Sequence, residues 1–269
     1  MPAHNSNIRQ QGFTLMELIM VIVIAGILAT MTVGFITKPM EAYVDLSRRA
    51  ELVDSAEMSM RMMARDIRRA LPNSVREITD GFEMINTVEG GRYRDKQDPS
   101  DPSTTPLILP GGVEFDVLGN LNNAPDTSDF IVIYNLTNTG NDYNAYNSPG
   151  VGIWNRVGIA AGSTTSKITM NEAMGITQGS PRQRFFIVDE VIRYQCTAGV
   201  LYRQQCSIAP SPTCGTSAPI SKHMDCGSTS FSYQPGTAAR AGLVTINLSL
   251  ISEGERISLL HQVHVDNVP

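Results

Sequence analysis

The chain has 269 residues, 42% hydrophobic and 17% charged, with a formal net charge of −5. That length holds one sizeable core or two small ones, and the ordinary glycine, proline and apolar content excludes collagen-like, coiled-coil-only and wholly disordered chains. The acidic balance argues against nucleic acid as a bulk electrostatic partner, because phosphate binding needs a lysine and arginine surplus on some face.

The average conceals an asymmetry: residues 18–37 contain no Asp, Glu, Lys or Arg, whereas residues 38–100 are dense in them. An apolar run starts at Phe13 and reaches Thr37 with Glu17 as its one charge. At 1.5 Å per residue a helix of roughly 25 residues spans about 37 Å, enough for a hydrocarbon core of ~30 Å. Arg9 lies before the run and Lys38, Arg48 and Arg49 after it, so counting cations does not set an orientation. A secretory signal peptide has an apolar stretch of about 7–15 residues followed by an A-x-A-like site. This run is longer, and no such site occurs between Ala25 and Ala42. The expected element is a single membrane-spanning helix over residues 13–37.

Glu17 is the informative residue of that helix. A carboxylate costs roughly 2.5–3.5 kcal/mol at the bilayer centre on insertion scales, and less near the interface. It reads either as a snorkelling interfacial acid or as the partner of a positive charge near the membrane. A cut after Gly12 would create that charge, the α-amino group of Phe13, one helical turn before Glu17 on the same chain or on a neighbouring subunit.

The segment Gly12-Phe13-Thr14-Leu15-Met16-Glu17-Leu18, followed by an apolar run of this length, resembles the leader signal of type IV prepilins and type II secretion pseudopilins. The resemblance implies cleavage between Gly12 and Phe13 by a prepilin peptidase, methylation of Phe13, and Glu17 as the carboxylate that guides assembly. It also implies an inner-membrane protein with its leader (1–12) in the cytoplasm and everything after the span outside, later transferred to a pilus. Other pilin and minor pilin subunits would be its partners through the helix. Many major pilins carry a helix-breaking proline where this chain has Gly34; its first proline after the leader is Pro39, so any unwinding would fall a turn lower or be absent.

Beyond Pro39 the pattern turns amphipathic. Tyr43, Leu46, Ala50, Val53, Met60, Ala64, Ile67 and Leu71 recur at spacings of three and four, with Glu57 interrupting the stripe. Arg48, Arg49, Arg61, Arg65, Arg68 and Arg69 lie on the other face, as a solvated surface or as partners for acids on a neighbouring subunit. Pro72 should end the helix, so residues 38–72 are expected to continue the membrane helix.

Residues 73–269 read as strands and loops. Strand patterns fall at Val113–Leu118, Phe130–Leu136, Val151–Ile159, Phe185–Cys196, Val200–Arg203, Leu243–Leu250 and Ile257–Val265. Thr197-Ala198-Gly199 and Gly254 suggest hairpin turns. Asp95–Pro106 and Asn138–Pro149 read as solvated loops, and Lys167–Gly175 as a short helix. The expected fold is α+β: one long helix against an antiparallel sheet headpiece, pilin-like.

Four cysteines, Cys196, Cys206, Cys214 and Cys226, lack the paired spacing of a zinc site. In an exported chain disulfides are the default, and three pairings are open. The favoured one is nested, with Cys206–Cys214 closing a local loop and Cys196–Cys226 stapling two strands. His261 and His264 sit three apart in a strand and point to opposite faces. Asp95, Asp98 and Asp101 lack the glycine and terminal glutamate of a calcium loop. No catalytic or cofactor motif stands out, so no enzyme activity and no cofactor is expected. Trp154 and the tyrosines of 141–147 could line a site for a surface glycan, although packing is the plainer role for them.

The segments Ala70–Arg76, Tyr43–Asp45 and His261–Pro269 resemble minor pilins of mannose-sensitive haemagglutinin pili. The chain left after the cut is also larger than typical major pilins. This resemblance implies a subunit that primes or caps a filament. A tip adhesin and a type II secretion minor pseudopilin are the alternatives.

Overall fold

The structure, a computed structural model, describes residues 12–236 and 240–265. The expected leader up to residue 11 and the C-terminal residues 266–269 lie outside the described residues. Helix α1 (Leu15–Arg68) runs for 54 residues and is unbroken at Gly34 and Pro39. It stops short of the expected Leu71. The N–H groups of Arg69 and Ala70 bond back to the carbonyls of Asp66 and Ile67 at 3.0 and 3.1 Å, which tightens the last turn. Leu71 then donates to the Ile85 carbonyl at 2.8 Å, so the chain has joined a sheet before Pro72 can act as the stop.

Two compact units divide the chain between Glu51 and Leu52. In the first, the described side chains of α1 are exposed almost throughout, Tyr43 at 71%. The expected core stripe therefore does not begin at Tyr43, Leu46 and Ala50. It begins at Leu52, where the second unit starts, and runs through Ala56, Met60, Met63, Ala64 and Ile67. The three-four spacing had found Met60, Ala64 and Ile67. It missed Leu52, Ala56 and Met63 because a helix laid on a sheet buries a stripe wider than one row.

The second unit holds twelve strands among the described residues: β1 (Arg76–Ile78), β2 (Gly81–Arg92), β3 (Glu114–Asp116), β4 (Phe130–Ile133), β5 (Arg156–Gly158), β6 (Lys167–Thr169), β7 (Arg184–Thr197), β8 (Val200–Cys206), β9 (Cys214–Lys222), β10 (Ser230–Gln234), β11 (Gly242–Ser252) and β12 (Glu255–Val265). All pairings are antiparallel. Strand β7 organises the main sheet. One edge carries β2 and then β1; the other is shared, with β4 beside Phe185–Val188 and β8 beside Val191–Thr197, flanked in turn by β5 and β9. Strands β10-β11-β12 form a second sheet and β3-β6 a third.

The helix face from Leu52 to Ile67 packs on Phe82, Ile192, Tyr194 and Leu201 of the main sheet, and on Ile246, Leu248 and Val263 of the second. Each large apolar side chain buried this way contributes about 1.5–3 kcal/mol. A separate core around Phe115, Ile131, Ile168 and Phe185 supports the β3-β6 pair. The β7–β8 and β11–β12 hairpins turn on Ala198-Gly199 and Glu253-Gly254, all four at positive φ, the geometry of a type I′ turn. At Gly81 a Cβ would lie 2.0 Å from the Tyr194 carbonyl oxygen, so only glycine lets β2 approach β7 there.

Three expectations need correction. Lys167–Gly175 is not a helix: Lys167–Thr169 is strand β6, and its Ile168 is buried opposite Phe115. The strand expected over Val151–Ile159 shrinks to Arg156–Gly158. The centre of the Asn138–Pro149 loop is buried rather than solvated. Asn144 and Asn147 both donate to the Gly140 carbonyl (3.0 and 2.9 Å), Asn135 accepts from the Ala145 N–H, and the Tyr146 hydroxyl donates to the Ser74 carbonyl at 2.9 Å. These side-chain bonds replace water for the loop backbone.

Candidate assembly site

Helix α1 begins where Thr14 can cap it. The Glu17 N–H donates to the Thr14 carbonyl at 3.1 Å and to its Oγ1 at 3.3 Å. Thr14 and Glu17 thus stand as N-cap and third helical residue, the Thr-x-x-Glu spacing of a capping box. The Glu17 charge lies in the first turn, where exposed N–H groups favour an anion. The same residue therefore helps start the helix and remains available for a partner: among the described residues no cation meets its carboxylate. Phe13, four positions earlier, is 81% exposed.

Past Glu17 the described side chains up to Met31 form an exposed apolar surface on every side of the helix. Its most apolar window has a mean hydropathy of 2.6, and by length and composition this helix is able to cross a membrane. One hydroxyl interrupts the surface and another follows it, and both are satisfied internally: Thr30 donates to the Ile27 carbonyl at 2.9 Å and Thr32 to that of Leu28 at 2.7 Å. Neither then presents an unpaired polar hydrogen to lipid or to a neighbouring helix.

In the headpiece, disulfides join Cys196 to Cys226 and Cys206 to Cys214. Cys196 lies in the principal core, while Cys206 and Cys214 face each other across β8 and β9 and close the 207–213 loop. His261 and His264 are exposed on β12 and of opposite parity. Asp98 and Asp101 each accept the N–H and hydroxyl of the serine two residues on. Those hydroxyl bonds, with the backbone bonds second, hold both carboxyls below the usual range. Among the described residues no three or more His, Cys, Asp or Glu side chains gather as a metal site. Trp154 is half-buried, donates to the Ala173 carbonyl at 3.3 Å and covers Gly175, where a Cβ would meet its ring at 2.5 Å. Tyr143 packs edge-on to Tyr134, and Tyr146 is buried beneath the Arg76 guanidinium. The aromatic side chains singled out for a glycan are thus engaged in packing.

Sequence reasoning missed two buried carboxylates. Glu83 is held by Arg76 (2.5 Å) and Arg193 (2.7 Å), and Asp66 by Arg203 and Tyr194. Two of the contacts are local: Arg76 faces Glu83 in the β1–β2 hairpin, and Arg65, next to Asp66 in the chain, meets it at 3.4 Å. The other partners lie more than a hundred positions away in the chain.

Residues 7–33 match the prokaryotic N-terminal methylation motif. No curated protein and no solved structure matches the chain. The matched stretch contains Gly12, Phe13, Thr14 and Glu17 together with most of the charge-free run, residues 18–33. A prepilin-type motif on an apolar N-terminal helix, ahead of an antiparallel β headpiece, supports a type IV pilin-like or pseudopilin protein.

Proposed function

We propose that this chain is a minor pilin, cut by prepilin peptidase between Gly12 and Phe13, methylated on Phe13, and built into a filament through its N-terminal helix. The observation that carries the reading is the methylation motif over 7–33, running directly into a helix exposed and apolar on all sides. The leader would stay in the cytoplasm and the headpiece would face the periplasm, where its two disulfides can persist. The resemblance of both chain ends to MshO, a minor pilin of the mannose-sensitive haemagglutinin pilus, favours priming or capping of such a filament. The work proposed is structural rather than enzymatic.

The physics is a transfer of one helix from lipid to a bundle of like helices. Apolar surface is covered on both sides, so the bulk of the helix gains little from the exchange. Glu17 differs, because a carboxylate in an apolar setting is strongly favoured to find a cation. The α-amino group created at Phe13 of a neighbouring subunit is such a cation, so Glu17 sets register more than bulk stability. Glu17→Ala is expected to insert in the membrane and lose its leader normally while failing to enter filaments. Normal incorporation of that variant would refute the role. Deleting the protein distinguishes the readings further: loss of pili supports a priming subunit, intact pili that no longer attach support a tip adhesin, and a secretion defect with normal pili supports a pseudopilin.

A further inference from the structure

Strand β12 closes the β10-β11-β12 sheet and has no partner on its outer side among the described residues. The two-residue turn at Glu253-Gly254 makes Ser252 and Glu255 a hydrogen-bonded pair, and such pairs alternate along an antiparallel ladder. The odd-numbered residues of β12 therefore bond to β11. The N–H and C=O groups of Ser258, Leu260, Gln262 and His264 point to the open edge. Past Glu255 and Arg256 at its start, that edge lacks the usual blunting features: it is eleven residues long, contains no proline and no lysine, and carries Leu260 at its centre with 68% exposure.

Beside β12, between Leu259–His261 and the flank of α1 where its buried stripe meets its charged side, runs a groove of about 370 Å³. Met60, Ala64 and Leu259 give it an apolar floor, and Arg61 and Arg68 a basic rim. Glu57 offsets Arg61 over 2.8 Å, while Arg68 meets no carboxylate among the described residues. We infer that β12 and this groove take up an extended, acidic polypeptide segment from a different protein, added as a strand to the open edge, its apolar residues on Met60 and Leu259 and a carboxylate on Arg68. A second copy of this chain is the poorer occupant. Antiparallel pairing of two β12 edges about Leu260 would set Arg256 against His264 and bring both copies' Arg61 and Arg68 to one seam. The inference goes beyond the filament reading and does not need it, since it concerns the headpiece and is independent of cleavage at Gly12.

The test uses the purified full chain in detergent micelles and a synthetic peptide of about eight residues that alternates valine with aspartate or glutamate, with amide hydrogen exchange read residue by residue. The expected result is slowed exchange at Ser258, Leu260 and Gln262 on adding the acidic peptide, and binding at least about tenfold weaker in Arg68→Glu. Leu260→Pro should abolish the protection while leaving β11 amides slow, because proline is tolerated where the strand N–H faces outward. Three results would overturn the inference: no protection by the acidic peptide, equal protection by a peptide with lysine in place of the acids, or protection that rises with protein concentration and no peptide present.

Discussion

The Tyr194 hydroxyl donates to the Asp66 carboxylate over 2.7 Å, tying the last turns of the long helix to the central strand of the main sheet. Asp66 is 5% exposed and also accepts from Arg203 Nε at 2.8 Å. One oxygen of the carboxylate, Oδ2, holds both of these donors, and the other meets Arg65 Nε at 3.4 Å, so removing the side chain strands a buried hydroxyl and a guanidinium together. Asp66→Ala should therefore lower unfolding free energy by about 3 kcal/mol, and Asp66→Asn by less, because an amide oxygen in the place of Oδ2 can keep both donors while the charge is lost. Urea unfolding measures both. A loss in Asp66→Ala smaller than about 1 kcal/mol would mean that the helix is docked by apolar contacts alone.

The two disulfides should differ in what they contribute. Cys196–Cys226 spans a sequence separation of 30 and Cys206–Cys214 one of 8. Loop-closure entropy then favours the first, at about 3.6 kcal/mol against about 2.5. Cys196 is also buried in the principal core, so its bond ties down the segment that carries Met224. Replacing each pair by alanine and following thermal unfolding should place the Cys196/Cys226 double variant lower. The reverse order would contradict this.

Alkaline pH should unfold the headpiece. Burial pushes the phenols of Tyr146 and Tyr194 well above their ordinary range, with the nearby Asp66 charge a second cause at Tyr194. Above about pH 10 the unfolded chain releases protons that the folded one keeps. The stability these groups supply is thus complete below that pH and falls as pH rises beyond it, by up to about 1.4 kcal/mol per pH unit for each tyrosine. Arg156 works in the opposite sense, since burial pulls its guanidinium down to about 10, one group against these two and against Tyr93 and Tyr233, whose phenols burial also raises. The urea midpoint should hold steady to about pH 9 and then drop steeply. A midpoint that stays flat through about pH 11 would contradict the burial of these phenols.

The parts of the fold that could be read from the sequence are those whose signal is local. Strand β11 alternates cleanly, β12 does so apart from Leu259-Leu260, and the two meet at a positive-φ pair of residues, so their hairpin was visible. Strand β2 was not. Its ladder with β7 shifts register twice between Ile85 and Glu89, and Gly81, Gly90 and Gly91 sit where the backbones or the Phe185 and Phe186 rings come close, so no period of two survives. Strand β9 is a mostly exposed edge containing Pro219, and its partner β8 rather than its own residues makes it a strand. The N-terminal motif was legible because Gly12, Phe13, Thr14 and Glu17 lie within two helical turns of one another in the chain. The Glu83 and Asp66 clusters and the groove beside β12 were not, because each is assembled by tertiary contacts from distant segments.

The mass of the N-terminal peptide from the protein purified out of its native membrane is the most direct measurement. The expected species starts at Phe13 and is heavier than the unmodified peptide by one methyl group. A chain that still begins at Met1, or one trimmed at any bond other than Gly12–Phe13, would contradict the assignment of this helix to a filament.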